Sequence, residues 1–140
     1  MNNLNQSDIE SICREFFSAS QGMLSWQWED RFETALSQFD ADKKERVRTI
    51  LEHYLRITWD SAIIKKAPDA VQEINSRLNG LMSGQILFTS VPNLDDFIFC
   101  AWWPWNSGDT ISIRVAPSYK KLSDSEKAGR ITQFRGWFGI

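Results

Sequence analysis

A Ser-His-Asp or Cys-His nucleophilic site in this chain would have to turn on His53, the only histidine among 140 residues. Helical spacing places His53 about 120° from the centre of the apolar stripe Val47, Ile50, Leu51, Tyr54 and Leu55. It sits between Glu52 and Arg56 and reads as a solvated helix-surface residue. Cys13 and Cys100 have neither CxxC nor paired metal spacing, and both lie among apolar neighbours, which favours reduced, buried thiols. With one His and two scattered Cys, no metal site is expected. Gly80-Leu81-Met82-Ser83-Gly84-Gln85 lacks the Lys and Ser/Thr of a phosphate loop. GxGxxG, HExxH, EF-hand and GxSxG patterns are absent, so motif-bearing enzymes are set aside and no cofactor is expected. Paired carboxylates need no such motif. Asp95-Asp96, just before an aromatic strand, is the pair to examine, against the plainer reading of a solvated turn.

The strongest candidate surface is Phe97-Ile98-Phe99-Cys100-Ala101-Trp102-Trp103-Pro104-Trp105, which holds three of the seven Trp. Each large aromatic buries roughly 150–250 Å², so this run is either the centre of the core or a face for a partner. Strand alternation sends Phe97, Phe99, Ala101 and Trp103 to the core side. Ile98, Cys100 and Trp102 then lie on the other face, expected beside Ser112 and Arg114 and either roofed by the C-terminal helix or open. Trp105 falls in the following turn. Trp and Arg are enriched at binding hot spots.

Sixteen basic and eighteen acidic residues give a net charge of −2, which excludes a strongly basic nucleic-acid binder. The charge is polarised: residues 1–42 carry eight acids and two bases, and residues 114–135 carry six bases and two acids. The basic stretch with Tyr119, Trp137 and Phe138 suggests stacking on single strands, but its cations are dispersed over a loop and a helix, so nucleic acid is not expected as a partner. The N-terminus lacks the basic flank and apolar run of a signal peptide. No segment reaches the roughly 18 apolar residues of a membrane span. A cytoplasmic protein with no membrane partner is expected.

These residues must be positioned by elements that periodicity predicts. Ser7 and Glu10 form a capping box ahead of a helix over 8–19, with Ile9, Ile12, Cys13, Phe16 and Phe17 on one face. A second helix is predicted over 25–38 from Leu24, Trp28, Phe32, Leu36 and Phe39, with Trp26 opposite that stripe. A third begins at Asp40 or Asp42 and runs through Thr58, on to Lys66. A fourth follows Pro68, with Ala70, Val71, Ile74, Leu78 and Leu81 aligned. At Gln85 the period drops to two. Strands over 86–91, closed by Pro92-Asn93, then 96–103 and 110–116, read as an antiparallel meander. Ser123 and Glu126 cap a last helix over 124–135, with Ala128, Ile131 and Phe134 inward and Phe138 a further inward candidate; Gly136 and Gly139 then leave Trp137-Phe138 as a tail. The fold class is α+β in a single domain over 1–140: about four N-terminal helices, a three-stranded antiparallel meander and a C-terminal helix.

A motif-free chain with surplus Trp and an acidic N-terminal third is expected to bind another protein rather than catalyse. In size and general character it is similar to small bacterial immunity proteins that block a toxin's active site. The expected contacts are Glu29, Asp30 and Glu33 for charge, with Trp26, Trp102, Trp105 and Arg114 as anchors and Asp95 and Asp96 alongside. The expected partner is a basic toxin or effector domain. A secretion chaperone or adaptor, and a small enzyme using Asp95 and Asp96, are the competing expectations.

Overall fold

A computed structural model describes residues 6–91 and 96–140. Helix α1, Gln6–Ser20, starts one residue before Ser7 and buries the stripe Ile9, Cys13 and Phe16, as its spacing predicts. The predicted second helix is absent. Gln27–Glu29 (β1) and Thr34–Asp40 (β2) form an antiparallel hairpin instead, with Trp28 opposite Ala35. The apparent helical stripe hid a period of two, in which Ala35, Ser37 and Phe39 are buried while Gln38 and Asp40 are exposed. Cross-strand pairing over the length of β2, which no local window contains, decides this segment.

A short 3₁₀ turn, Ala41–Lys43, leads into α2, Lys44–Tyr54. The predicted run-on to Lys66 is also corrected. Ile57-Thr58-Trp59, β-branched and aromatic, forms edge strand β3, and only a 3₁₀ turn, Ile64–Lys66, follows. Pro68 precedes α3, Asp69–Arg77, which buries Val71 and Ile74. The meander is present as β4 (Ile86–Thr89), β5 (Phe97–Trp105) and β6 (Thr110–Ser118). The Pro92-Asn93 turn lies outside the described residues. The three-stranded sheet is nevertheless overturned: β1, β2 and β3 extend it to six antiparallel strands in the order β1-β2-β6-β5-β4-β3. Three helices rather than four precede the meander, and strands are interleaved among them.

Two prolines sit within this sheet without breaking it. Ser90 N–H donates to the Ile98 carbonyl and Ile98 N–H donates to Ser90 Oγ, both at 2.9 Å. Even-numbered residues of β5 therefore turn their backbones toward β4, and odd-numbered ones toward β6. Pro117 lies opposite Ile98, so its nitrogen points away from β5, past the start of β2. Pro104 points toward the β4 side beyond Ile86, where β4 has not begun. Both occupy places where no strand needs a donor.

The face carrying Ile98, Cys100 and Trp102 is roofed by helices. Trp102 packs between Phe39 and Phe88 with centroids 5.7 and 6.0 Å away, and Arg48 of α2 lies over Phe88. Helix α4, Asp124–Phe138, keeps its predicted capping box, with Glu126 N–H to Ser123 Oγ at 3.2 Å and Ser123 N–H to Glu126 Oε1 at 3.0 Å. It does not break at Gly136. Trp137 and Phe138 are buried within it, Phe138 packs on Phe17 and Trp26, and Gly139 ends the helix at φ +68°. Ala128, predicted inward, is exposed. On the opposite face α3 covers the β4–β5 side through Ile74 and Leu78, near Phe99. On the β1–β2–β6 side of that face Gln38, Asp40 and Trp105 are exposed and Leu36 is partly so, over a buried Ser112 and Trp103.

Candidate functional site: the open sheet face

The loop over 106–109 joins Trp105, paired with Thr110, to β6, so odd positions of β5 meet even positions of β6. Arg114 is thus opposite Ala101 and Ser112 opposite Trp103. This corrects the expectation that they flank Trp102. Alternation was read correctly within each strand, but the parity between strands depends on the turn.

That register builds a continuous chain of contacts. Arg114 donates from Nε to Glu29 Oε1 at 2.6 Å and from Nη2 to Glu29 Oε2 at 2.9 Å. The side chains are only 11% and 17% exposed. The guanidinium stacks 4.3 Å from the Trp103 centroid, and Phe32, from the β1–β2 turn, stands 5.5 Å away. Arg114 Nη1 donates to Ser112 Oγ at 3.2 Å, and Trp105 Nε1 donates to the same oxygen at 2.7 Å. Trp105 is 46% exposed and is the one exposed aromatic among the described large hydrophobics. Asp40 pairs in register with Thr110, which pairs with Trp105, so all three share a row on this face. Asp40, Asp109 and Gln38 are exposed around it.

The structure therefore brings Glu29, Trp105 and Arg114 together. Asp30 and Glu33 lie exposed in the adjoining turn, Asp30 accepting from Trp28 Nε1 at 3.0 Å. Trp26 is elsewhere, half-buried against Phe16 and Phe138 with its Nε1 on Ser20 Oγ. Trp102, at 4% exposure, belongs to the core rather than to a contact surface. Asp96 Oδ1 accepts from the Lys120 N–H at 3.1 Å and ties down the loop after β6. Asp95 lies outside the described residues. Sequence reasoning missed Ser112, Trp103, Phe32 and Asp40 as members of this face. The correct strand parity, read from the turn, would have shown the first two.

Glu29 neutralises Arg114, and Ser112 satisfies the Trp105 donor, so the indole is held in place with its ring outward and acids around it. Away from this face, His53 is exposed, edge-on to Tyr54 at 4.7 Å. Burial pushes the Cys13 and Cys100 thiols well above their ordinary range. Among the described residues there is no cluster of three His, Cys, Asp or Glu able to hold a metal, and no helix long and apolar enough to cross a membrane. No protein family, curated protein or solved structure matches this chain.

Proposed function

We propose that this chain is a non-catalytic protein-binding domain of the inhibitor or immunity type. It acts in the cytoplasm by covering a basic partner, such as a toxin or effector domain, with the open sheet face. The carrying observation is the Trp105 indole: nearly half exposed, yet fixed by Ser112 beside the Arg114–Glu29 pair. A ring already held in one orientation loses little freedom on binding. Because Arg114 is already paired with Glu29, the charge left for a partner comes from Asp40, Asp109, Asp30 and Glu33, which outnumber the exposed Arg31 of the same turn. Such a rim favours a basic surface and speeds encounter with it.

The test is affinity recovery from native lysate with the wild type, Trp105→Ala, and Asp40→Asn/Asp109→Asn as baits. The reading expects a stoichiometric basic protein whose binding falls roughly 30-fold or more with Trp105→Ala, as for a hot-spot anchor. The acid-rim variant should slow association. Recovery of no stoichiometric protein, or of one indifferent to Trp105→Ala, refutes it.

A further inference from the structure

A groove lies at the end of the sheet away from Trp105. β6 runs on past the start of β2, so Pro117 and Ser118 have β5 on one side and no strand on the other. Where β2 would continue there is a groove of about 1000 Å³. Helix α3 borders it from one face of the sheet and α4 from the other. Its walls are of opposite sign: Asp69 and Glu73 on α3, Lys127 and Arg130 on α4. Among the described residues no ion pair joins these walls. Arg77 and Glu33 line the end nearest the β1–β2 turn. The floor is apolar, formed by Trp28, Pro117, Ile131 and Phe134.

We propose that this groove takes an extended peptide segment of a partner protein in which basic and acidic side chains alternate. The gap lies in the plane of the sheet with a helix on either side, the place of one more strand. Successive side chains of a strand point to opposite faces. One set then meets the acids of α3, and the other meets Lys127 and Arg130 of α4. Pro117 turns its carbonyl into the gap and brings no N–H with it, so backbone pairing is limited there. The charge pattern, more than strand addition alone, selects the occupant.

The probe is a labelled eight-residue peptide alternating lysine and glutamate, compared by fluorescence anisotropy with a block peptide of four lysines followed by four glutamates. The alternating peptide should bind saturably, and the block peptide about tenfold or more weaker, because only alternation satisfies both walls. Asp69→Lys/Glu73→Lys or Lys127→Glu/Arg130→Glu should each weaken binding about tenfold or more. All four reversals together should restore it, since the same peptide turned over matches the exchanged walls. Trp105→Ala should leave this binding unchanged while removing partner binding at the open face, so the two sites fail separately. Circular dichroism checks that each variant is folded. Absent binding, equal binding of the two peptides, or reversals without effect overturns the proposal. So does concentration-dependent self-association abolished by the same reversals, which would assign the groove to a second copy of the chain.

Discussion

Removing Arg114 should cost the fold more than any other single polar substitution on the open face. The pair with Glu29 has two short contacts, 2.6 and 2.9 Å, at low exposure. Two charges about 4 Å apart at an effective dielectric near 20 attract by about 4 kcal/mol. Desolvation offsets part of this, leaving a net value of about 1–3 kcal/mol for a partly exposed pair. Arg114→Met keeps an aliphatic stem over Trp103 but leaves the Glu29 carboxylate with the Thr34 hydroxyl at 3.3 Å. The expected loss is about 2–4 kcal/mol, just under the range for a fully buried orphaned charge. Glu29→Gln keeps an acceptor beside the guanidinium and should cost about 1–2 kcal/mol. The double variant should lose about 1–2 kcal/mol less than the sum of the two, the signature of direct coupling. Urea unfolding followed by far-UV circular dichroism measures all four corners of the cycle. If Arg114→Met changes stability by less than about 0.5 kcal/mol, or the coupling is zero, the pair is screened and this energetic account of the face is wrong.

Three further predictions separate core from surface. In the same unfolding assay Trp102→Ala should cost about 3–5 kcal/mol, as a cavity between Phe39 and Phe88, whereas Trp105→Ala should cost about 1 kcal/mol for one hydrogen bond; similar losses would mean the two rings are misassigned. A disulfide thiol reagent at mildly alkaline pH should find neither cysteine in the native protein and both in denaturant, because burial disfavours each thiolate; prompt native reaction would contradict it. The Glu126 carboxyl is held below its ordinary range, first by the Ser123 backbone N–H and then by the Ser123 hydroxyl. Its contribution is therefore present above the unfolded carboxylate pKa and lost as pH falls through the lower folded value. Amide protection in the first turn of α4 should drop as pH falls below the ordinary carboxylate range, and Ser123→Ala should flatten that step.

Much of the fold was legible where local signals agreed with tertiary pairing. The stripe through Ile9, Cys13 and Phe16, Pro68 ahead of α3, the Ser123–Glu126 box and the three meander strands all follow from short-range chemistry. The segment 24–39 was not legible, because Leu24, Trp28, Phe32, Leu36 and Phe39 satisfy a helical period while Ala35, Ser37 and Phe39 satisfy a strand's. Ile57-Thr58-Trp59 was hidden by its place at the end of a helical stripe. Of the candidate site, Glu29, Trp105 and Arg114 were visible as residue types, but their meeting across 85 positions of sequence was not.

Composition and periodicity by themselves determined an α+β chain, the buried stripes of α1, α2 and α3, the central antiparallel meander and an acidic N-terminal third. Each of these depends on residues within a turn or two of one another. Only the tertiary structure decided that β1 and β2 join the sheet, that Arg114 stands over Trp103 rather than beside Trp102, and that Trp105 is the ring left outside. A strand's exposed face is set by its register with a distant partner, and shifting that register by one residue exchanges the buried and exposed sides.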